Sequence, residues 1–432
     1  EPIELIVAPD DRTEAERVVR RARELGRSGA GAAGRREARL DDVAILYRTN
    51  SQSRLFEETL HRHQVPYVMI GGTRFYDRKE VRDVVAYARV VLNPKDEASL
   101  RRIVNLPPRD IGKTTIEAVQ EVGRREGLGF VDAVTRAIET KAVTARAARA
   151  LQGFLDLVGE LRRESLDLPP SRLIARIVSR TGFDAHLRAT QPGDAATRIE
   201  NLAELVNAVA TYDGMEDGLQ AFLDRTALLG ETDNVHGSSG VRLMTLHAAK
   251  GLEFPVIFIV GVEEDLTPHL RAAEEDGGLE EERRLFYVGM TRAKERLVLT
   301  RALTRFQFGQ SRVTEPSRFL LEIPARLLRE AVAPDDGRDF AGRIERAAAR
   351  IGARRQGDPE RDIRHWAEVD DLPDESTPPS LYTLGCKVHH SEYGVGTVIG
   401  IEGIGEGQKV TVSFSIYGAK KFLPRYARLE RI

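Results

Sequence analysis

The sequence predicts an α/β protein whose parallel sheet is interrupted by an all-α insertion and followed by a linker and a small β-barrel. Three observations carry that class. Val43–Tyr47 and Val256–Val260 are five-residue apolar runs rich in β-formers. They lack the alternation of a half-solvated strand, as strands buried on both faces of a parallel sheet do. From Leu100 to about Val235 no such run occurs, and apolar residues return at helical spacing. From Leu384 the period becomes two: Val410, Val412, Phe414 and Ile416 alternate with Thr411, Ser413 and Ser415 between glycine turns. The expected boundaries are 1–98 and 237–325 for the α/β domain, 99–236 for the insertion, 326–380 for the linker and 381–432 for the barrel.

In order, Ile3–Val7 reads as a strand, and Thr13–Leu25 as a helix turning Ala15, Val18, Val19, Ala22 and Leu25 inward. Residues 26–39, rich in Gly, Ala and Arg, read as a mobile loop. Val43–Tyr47 follows, then Arg48-Thr49-Asn50 and a helix to about Arg62. Tyr47 and Arg48 thus stand at the carboxyl end of a strand, the ligand edge of an open α/β sheet. Pro66–Gly72 is another strand. Asp77-Arg78-Lys79-Glu80 looks like a capping box opening a helix that Pro94 terminates. Helices are expected over Lys113–Glu126, Thr144–Arg163, Ser171–Arg180, Ala195–Tyr212 and Gly218–Leu229. Arg296–Leu303 reads as a closing strand, and a helix begins at Pro316. Residues 331–380 carry few large apolar side chains and read as a linker.

Composition narrows the class. The 65 basic and 67 acidic residues leave a net charge of −2, so any nucleic-acid surface must come from local placement of Lys and Arg. One cysteine, Cys386, rules out an internal disulfide and a multi-cysteine metal centre and suits a cytoplasmic setting. No run of about eighteen uncharged apolar residues occurs, so no membrane span is expected. No metal site is assigned.

The chemistry concentrates between Val241 and Thr300. Thr245, His247, Lys250 and Glu253 lie on the connection before Val256–Val260, where such sheets place ligands. Farther on, Leu279–Leu297 reads as a helix with Leu285, Val288 and Arg292 on one stripe. An arginine there is costly unless an anion meets it; snorkelling, or pairing with Glu281, is the bland alternative.

These residues carry a resemblance. Thr245-x-His247-x-x-Lys250-Gly251-Leu252-Glu253-Phe254-Pro255 and Glu282-Arg283-Arg284-Leu285-x-Tyr287-Val288-x-x-Thr291-Arg292-Ala293 resemble motifs V and VI of superfamily 1 DNA helicases of the UvrD/PcrA/Rep group. Val43–Arg54 is similar to their motif IV. The resemblance implies a RecA-like 2A domain interrupted by a helical 2B domain. It also implies ATP as cofactor, with Tyr47 stacking on adenine, Glu253 bonding the ribose, and Arg48 and Arg292 as cations on the γ-phosphate. Thr245 and His247 would lie along single-stranded DNA. Pro108-Arg109-Asp110-Ile111-Gly112-Lys113-x-Thr115 resembles the 2B segment that grips duplex DNA, which would enlist Arg109, Gly112, Lys113 and Thr115; this chain has Asp110 where the family commonly has glycine. Read from the residues alone, that stretch is an ordinary helix start whose first amides suit a phosphate.

Ile111-Gly112-Lys113-Thr114-Thr115 also imitates the end of a phosphate-binding loop. The glycine that the full pattern needs five residues earlier is Pro107. No apolar strand ending in an acidic pair is found either, so the ligands for Mg²⁺ are expected on an N-terminal helicase half. This chain alone is expected neither to bind ATP tightly nor to unwind DNA. Gly385-x-x-Val388-x-His390-x-x-Tyr393-Gly394-x-Gly396 resembles the Tudor-like, SH3-like module that ends many of these helicases, implying docking to RNA polymerase. Expected partners are therefore single-stranded DNA, single/double-strand junctions and the N-terminal half, in a bacterial, nucleoid-associated cytoplasmic setting. The alternative is a non-catalytic, partner-binding fragment.

Overall fold

In a computed structural model, residues 2–26, 39–231, 239–307 and 310–330 are described, with strands at 387–390, 394–402, 409–414, 418–422 and 430–431. Residues 27–38 of the loop expected over 26–39, the expected linker from residue 331 on, Trp366 and Cys386 lie outside the described residues.

Seven strands form the parallel sheet: β1 (Ile3–Asp10), β2 (Val43–Tyr47), β3 (Tyr67–Met69), β4 (Val241–Thr245), β5 (Phe254–Ile259), β6 (Ala293–Gln307) and, after the hairpin strand β7 (Gln310–Val313), β8 (Leu328–Glu330). Their order is β3-β4-β2-β5-β6-β1-β8, every neighbouring pair parallel, with β7 antiparallel on β6. Alternate residues of β2 explain its unbroken apolar run. Val43, Ile45 and Tyr47 join one core with α1 (Asp11–Leu25) and α2 (Ser53–Arg62), while Ala44 and Leu46 join a second core on the other face. Both faces are covered, as the run required. The Asp10 carboxylate caps α1, accepting from the Thr13 amide at 2.7 Å.

Between β3 and β4 the chain leaves the sheet for a run of helices, nine among the described residues: α3 (Lys79–Leu92), α4 (Glu97–Ile103), α5 (Lys113–Glu126), α6 (Phe130–Glu139), α7 (Ala145–Glu164), α8 (Pro170–Thr181), α9 (Phe183–Thr190), α10 (Ala195–Val209) and α11 (Gly218–Glu231). It then returns between β3 and β2, so β4 completes the sheet only after the insertion. Helices α4, α6 and α9 were not expected; each is ten residues or fewer, too short for a clear period. The capping box at α3 is a correction. Arg78 is the N-cap and makes no side-chain cap bond; its guanidinium is instead buried against Asn201 Oδ1 (2.9 Å) and Ser53 Oγ (2.8 Å).

After β5 come α12 (Leu270–Glu274) and α13 (Gly278–Met290), then α14 (Arg318–Leu321) after β7. The strand expected over Pro66–Gly72 is confined to Tyr67–Met69, and Gly71 turns out of it at φ +69°. Residues 1–357 form one compact unit and 358–432 another. In the second, β9 (Lys387–His390), β10 (Gly394–Glu402), β11 (Lys409–Phe414), β12 (Gly418–Phe422) and β13 (Glu430–Arg431) make an antiparallel sheet of order β12-β11-β10-β9-β13.

Candidate functional site

The site is built where β2 and β4 end and α13 begins. Arg48 follows the last residue of β2, and its backbone amide donates to Gln52 Oε1 at 2.9 Å. Its guanidinium meets Glu282, the fifth residue of α13: Nε lies 3.0 and 2.9 Å from the two carboxylate oxygens, and Nη2 lies 2.7 Å from Oε1. The His269 amide donates to the same carboxylate at 2.9 Å. Burial would raise the Glu282 carboxyl, but the bonds from Arg48 and the His269 amide outweigh it and hold it below the ordinary carboxylate range. Sequence reasoning quoted Glu282 within its motif without giving it a role; the Glu-Arg-Arg string offered no sign that its acid reaches 234 residues back.

Tyr47 departs from expectation. Its ring is 1% exposed within the core, and burial, with Glu57 nearby, raises its phenol above the ordinary value. A base could stack on it only after neighbouring side chains moved.

Thr245 ends β4, and its hydroxyl accepts from the Ala248 amide at 3.1 Å, opening the 246–253 connection that leads back to the start of β5. His247 is exposed on that connection. Desolvation on its packed side, then the Arg48 cation, lower its imidazole below the ordinary histidine value, which favours the uncharged ring. Gly289 of α13 packs on this segment: a Cβ there would come within 2.5 Å of Leu246 Cδ2.

Arg292 is a second correction. The helix expected to carry it stops at Met290, and β6 begins at Ala293. The arginine lies in the turn between them, its carbonyl accepting from the Phe254 amide at 3.0 Å. Its Nε donates to the Val288 carbonyl (3.0 Å) and Nη2 to the Thr291 hydroxyl (3.1 Å), and no carboxylate among the described residues engages it. Glu281, the suggested partner, pairs with Arg284 at 2.9 Å. Glu253 immediately precedes β5, exposed and loosely paired with Lys294 at 3.5 Å. Glu253 and Arg292 therefore sit beside each other at the starts of β5 and β6, while Arg48 and His247 gather at the far end of α13.

In the insertion, Arg109 is also corrected. It turns inward, donating from Nη1 to the Ile103 and Pro107 carbonyls at 3.1 Å and from Nη2 to Tyr87 Oη at 2.6 Å, and stacks over Tyr87 and Phe154. These contacts tie the 103–109 loop to α3 and α7. Asp110 has φ +62°, a left-handed conformation that glycine adopts freely, which accounts for the residue type at this position in the resembling family. Gly112 is the N-cap of α5 and has open space around it, Lys113 is 89% exposed, and Thr115 is half-buried in the first turn. No side chain caps these amides. No strand precedes them, so the imitation of a phosphate loop fails on structure too. Among the described residues no group of three or more His, Cys, Asp or Glu could hold a metal ion. No helix among them is long and apolar enough to cross a membrane.

Comparison with known proteins shows the family. The model of the UvrD-like helicase C-terminal domain matches residues 1–304, and that of the PcrA/UvrD tudor domain matches 384–431. The chain is 37% identical over 439 residues to DNA helicase II of Escherichia coli, covering 100% of this chain and 56% of that protein. It is 37% identical over 403 residues to the ATP-dependent DNA helicase PcrA of Bacillus subtilis, covering 91% and 53%. The ATP-dependent DNA helicase UvrD1 of Mycobacterium tuberculosis is 38% identical over 419 residues, covering 92% and 52%. The chain thus spans about half the length of the curated relatives it matches.

Proposed function

Since the chain belongs to the UvrD-like helicase C-terminal domain family, we propose that it is the second motor half of an ATP-dependent DNA helicase or translocase acting in repair and replication. Its 3′→5′ polarity is carried over from the family. The observation that carries the reading is the state of the two arginines: among the described residues Arg292 has no carboxylate partner, and Arg48 Nη1 makes no hydrogen bond. A guanidinium with unused donors suits phosphate oxygens.

The residues present fit ATP on this side. Arg48 and Arg292 would stabilise charge on the transferring phosphoryl group, and Glu253, exposed at the start of β5, would accept from a ribose hydroxyl. ATP would supply the free energy of each translocation step. The cation that accompanies it is assigned no ligand on this chain. Tyr47 is left out of the contact set because its ring is buried. His247 and Thr245 would border single-stranded DNA, with the open N-terminus of α5 and Lys113 on a duplex phosphate. The family's tudor-type tail would dock to RNA polymerase.

The test joins this chain to an N-terminal helicase half and measures DNA-stimulated ATP hydrolysis. Activity should appear in the joined protein and be absent from this chain alone. A joined protein without DNA-stimulated hydrolysis would overturn the reading.

A further inference from the structure

We propose that Glu282 is a positioning residue for Arg48, holding one edge of the guanidinium so that the opposite edge faces an incoming phosphate. The inference rests on the reading of Arg48 as a nucleotide ligand and goes beyond it by naming what orients that ligand.

An arginine carries five N–H donors in a rigid planar fork. Glu282 engages the Nε edge: both its oxygens lie within 3.0 Å of Nε, and Oε1 lies 2.7 Å from Nη2. That leaves both Nη1 protons and one on Nη2: the Nη2 proton and one Nη1 proton share the end of the fork, and the other Nη1 proton lies on the opposite edge. The exposures match: the Glu282 side chain is 5% exposed and that of Arg48 15%, so the carboxylate is the covered partner. Glu282 is itself fixed twice, by its place in the second turn of α13 and by the His269 amide at 2.9 Å. Arg48 is fixed at its backbone by Gln52 Oε1. The guanidinium plane is thus set before any anion arrives, and the rotamer freedom of a long side chain is removed in advance.

The carboxylate has a second consequence. It neutralises the cation, so attraction for the anionic ground state is reduced while the directed N–H groups remain. Removing the charge should therefore loosen orientation without weakening nucleotide binding. An ion pair that merely fastened α13 to β2 would not separate those two effects.

The experiment is a double-mutant cycle in the joined protein, using Arg48→Ala, Glu282→Gln and the double variant, each checked by thermal melting. Glu282→Gln should lower kcat for DNA-stimulated ATP hydrolysis by about 10- to 100-fold, the cost of a misplaced catalytic group, and leave KM for ATP unchanged or lower. In the Arg48→Ala background the same substitution should have no further effect on kcat. Glu282→Asp, which keeps the charge but withdraws it by one methylene, should also lower kcat, and it carries the cycle if the Gln variant does not fold. Unchanged kcat in both Glu282 variants, or full additivity with Arg48→Ala, overturns the inference and leaves the assignment of Arg48 standing. Wild-type turnover in Arg48→Ala overturns both.

Discussion

Arg292 and Lys113 are the residues whose roles can be separated from stability. Among the described residues the Arg292 side chain is tied to a carbonyl and a hydroxyl. In the joined protein Arg292→Ala should cut DNA-stimulated ATPase by about 10³–10⁵ while moving the melting temperature by no more than a degree or two, roughly what a mutation near ±0.5 kcal/mol produces. Turnover near wild type would remove the finger assignment. Lys113 reaches into solvent at the start of α5 with a loose contact to Glu117 at 3.7 Å. Lys113→Ala should weaken binding to duplex-containing substrates and reduce the slope of log K against log salt by about one; parallel slopes would leave the helix start without a nucleic-acid role. These positions were legible because their motifs are contiguous. The partner of Arg48 was not, since Glu282 lies 234 residues away and only the folded sheet brings it near.

At the level of elements, the strands and long helices were legible from period, and the errors fall at junctions. Lys113–Glu126 and Val43–Tyr47 begin and end where expected. The helix through Arg292 was extended too far because a continuing helix and a turn entering β6 share the same apolar spacing over a few residues. Gly240 marks such a junction with a steric reason. Its φ is +139°, and a Cβ would lie 2.3 Å from the Pro66 carbonyl oxygen, where β4 enters beside β3. Gly240→Ala should destabilise by about 2–4 kcal/mol through strain and overpacking combined. Denaturant melts showing a loss below about 0.5 kcal/mol would mean that the backbone relaxes there. Helix α10 shows how the insertion is fastened: Glu204 bonds Arg54 Nε at 2.7 Å, and Asn201 bridges Arg78 and Glu80 at 2.9 and 2.7 Å.

Across the whole α/β unit, one buried ionic cluster joins segments far apart in sequence. Arg305 of β6 bonds Glu263 at 2.6 and 2.7 Å and Glu14 of α1 at 2.6 Å. Glu14 also accepts from the Thr300 hydroxyl (2.5 Å) and the Gly261 amide (3.1 Å). Burial already raises the Glu263 carboxyl above its ordinary value despite the nearby cation. Arg305→Leu should cost about 3–5 kcal/mol, because it strands buried carboxylates without their partner. The folded variant then binds protons more readily than the unfolded chain, so its stability falls as pH rises through and above the ordinary carboxylate range. The deficit should be smaller at pH 5 than at pH 8; equal deficits would show that the cluster stays hydrated.

By itself the sequence determined the α/β class, the helical interruption, the β tail and the motif residues, because hydrophobic period and contiguous motifs are local properties of the chain. Only the tertiary structure decided that Tyr47 and Arg109 turn inward, that Arg292 sits in a turn, and that Glu282 grips Arg48. Those outcomes depend on which distant side chain supplies a buried donor or acceptor with its partner, and local spacing carries no record of that choice.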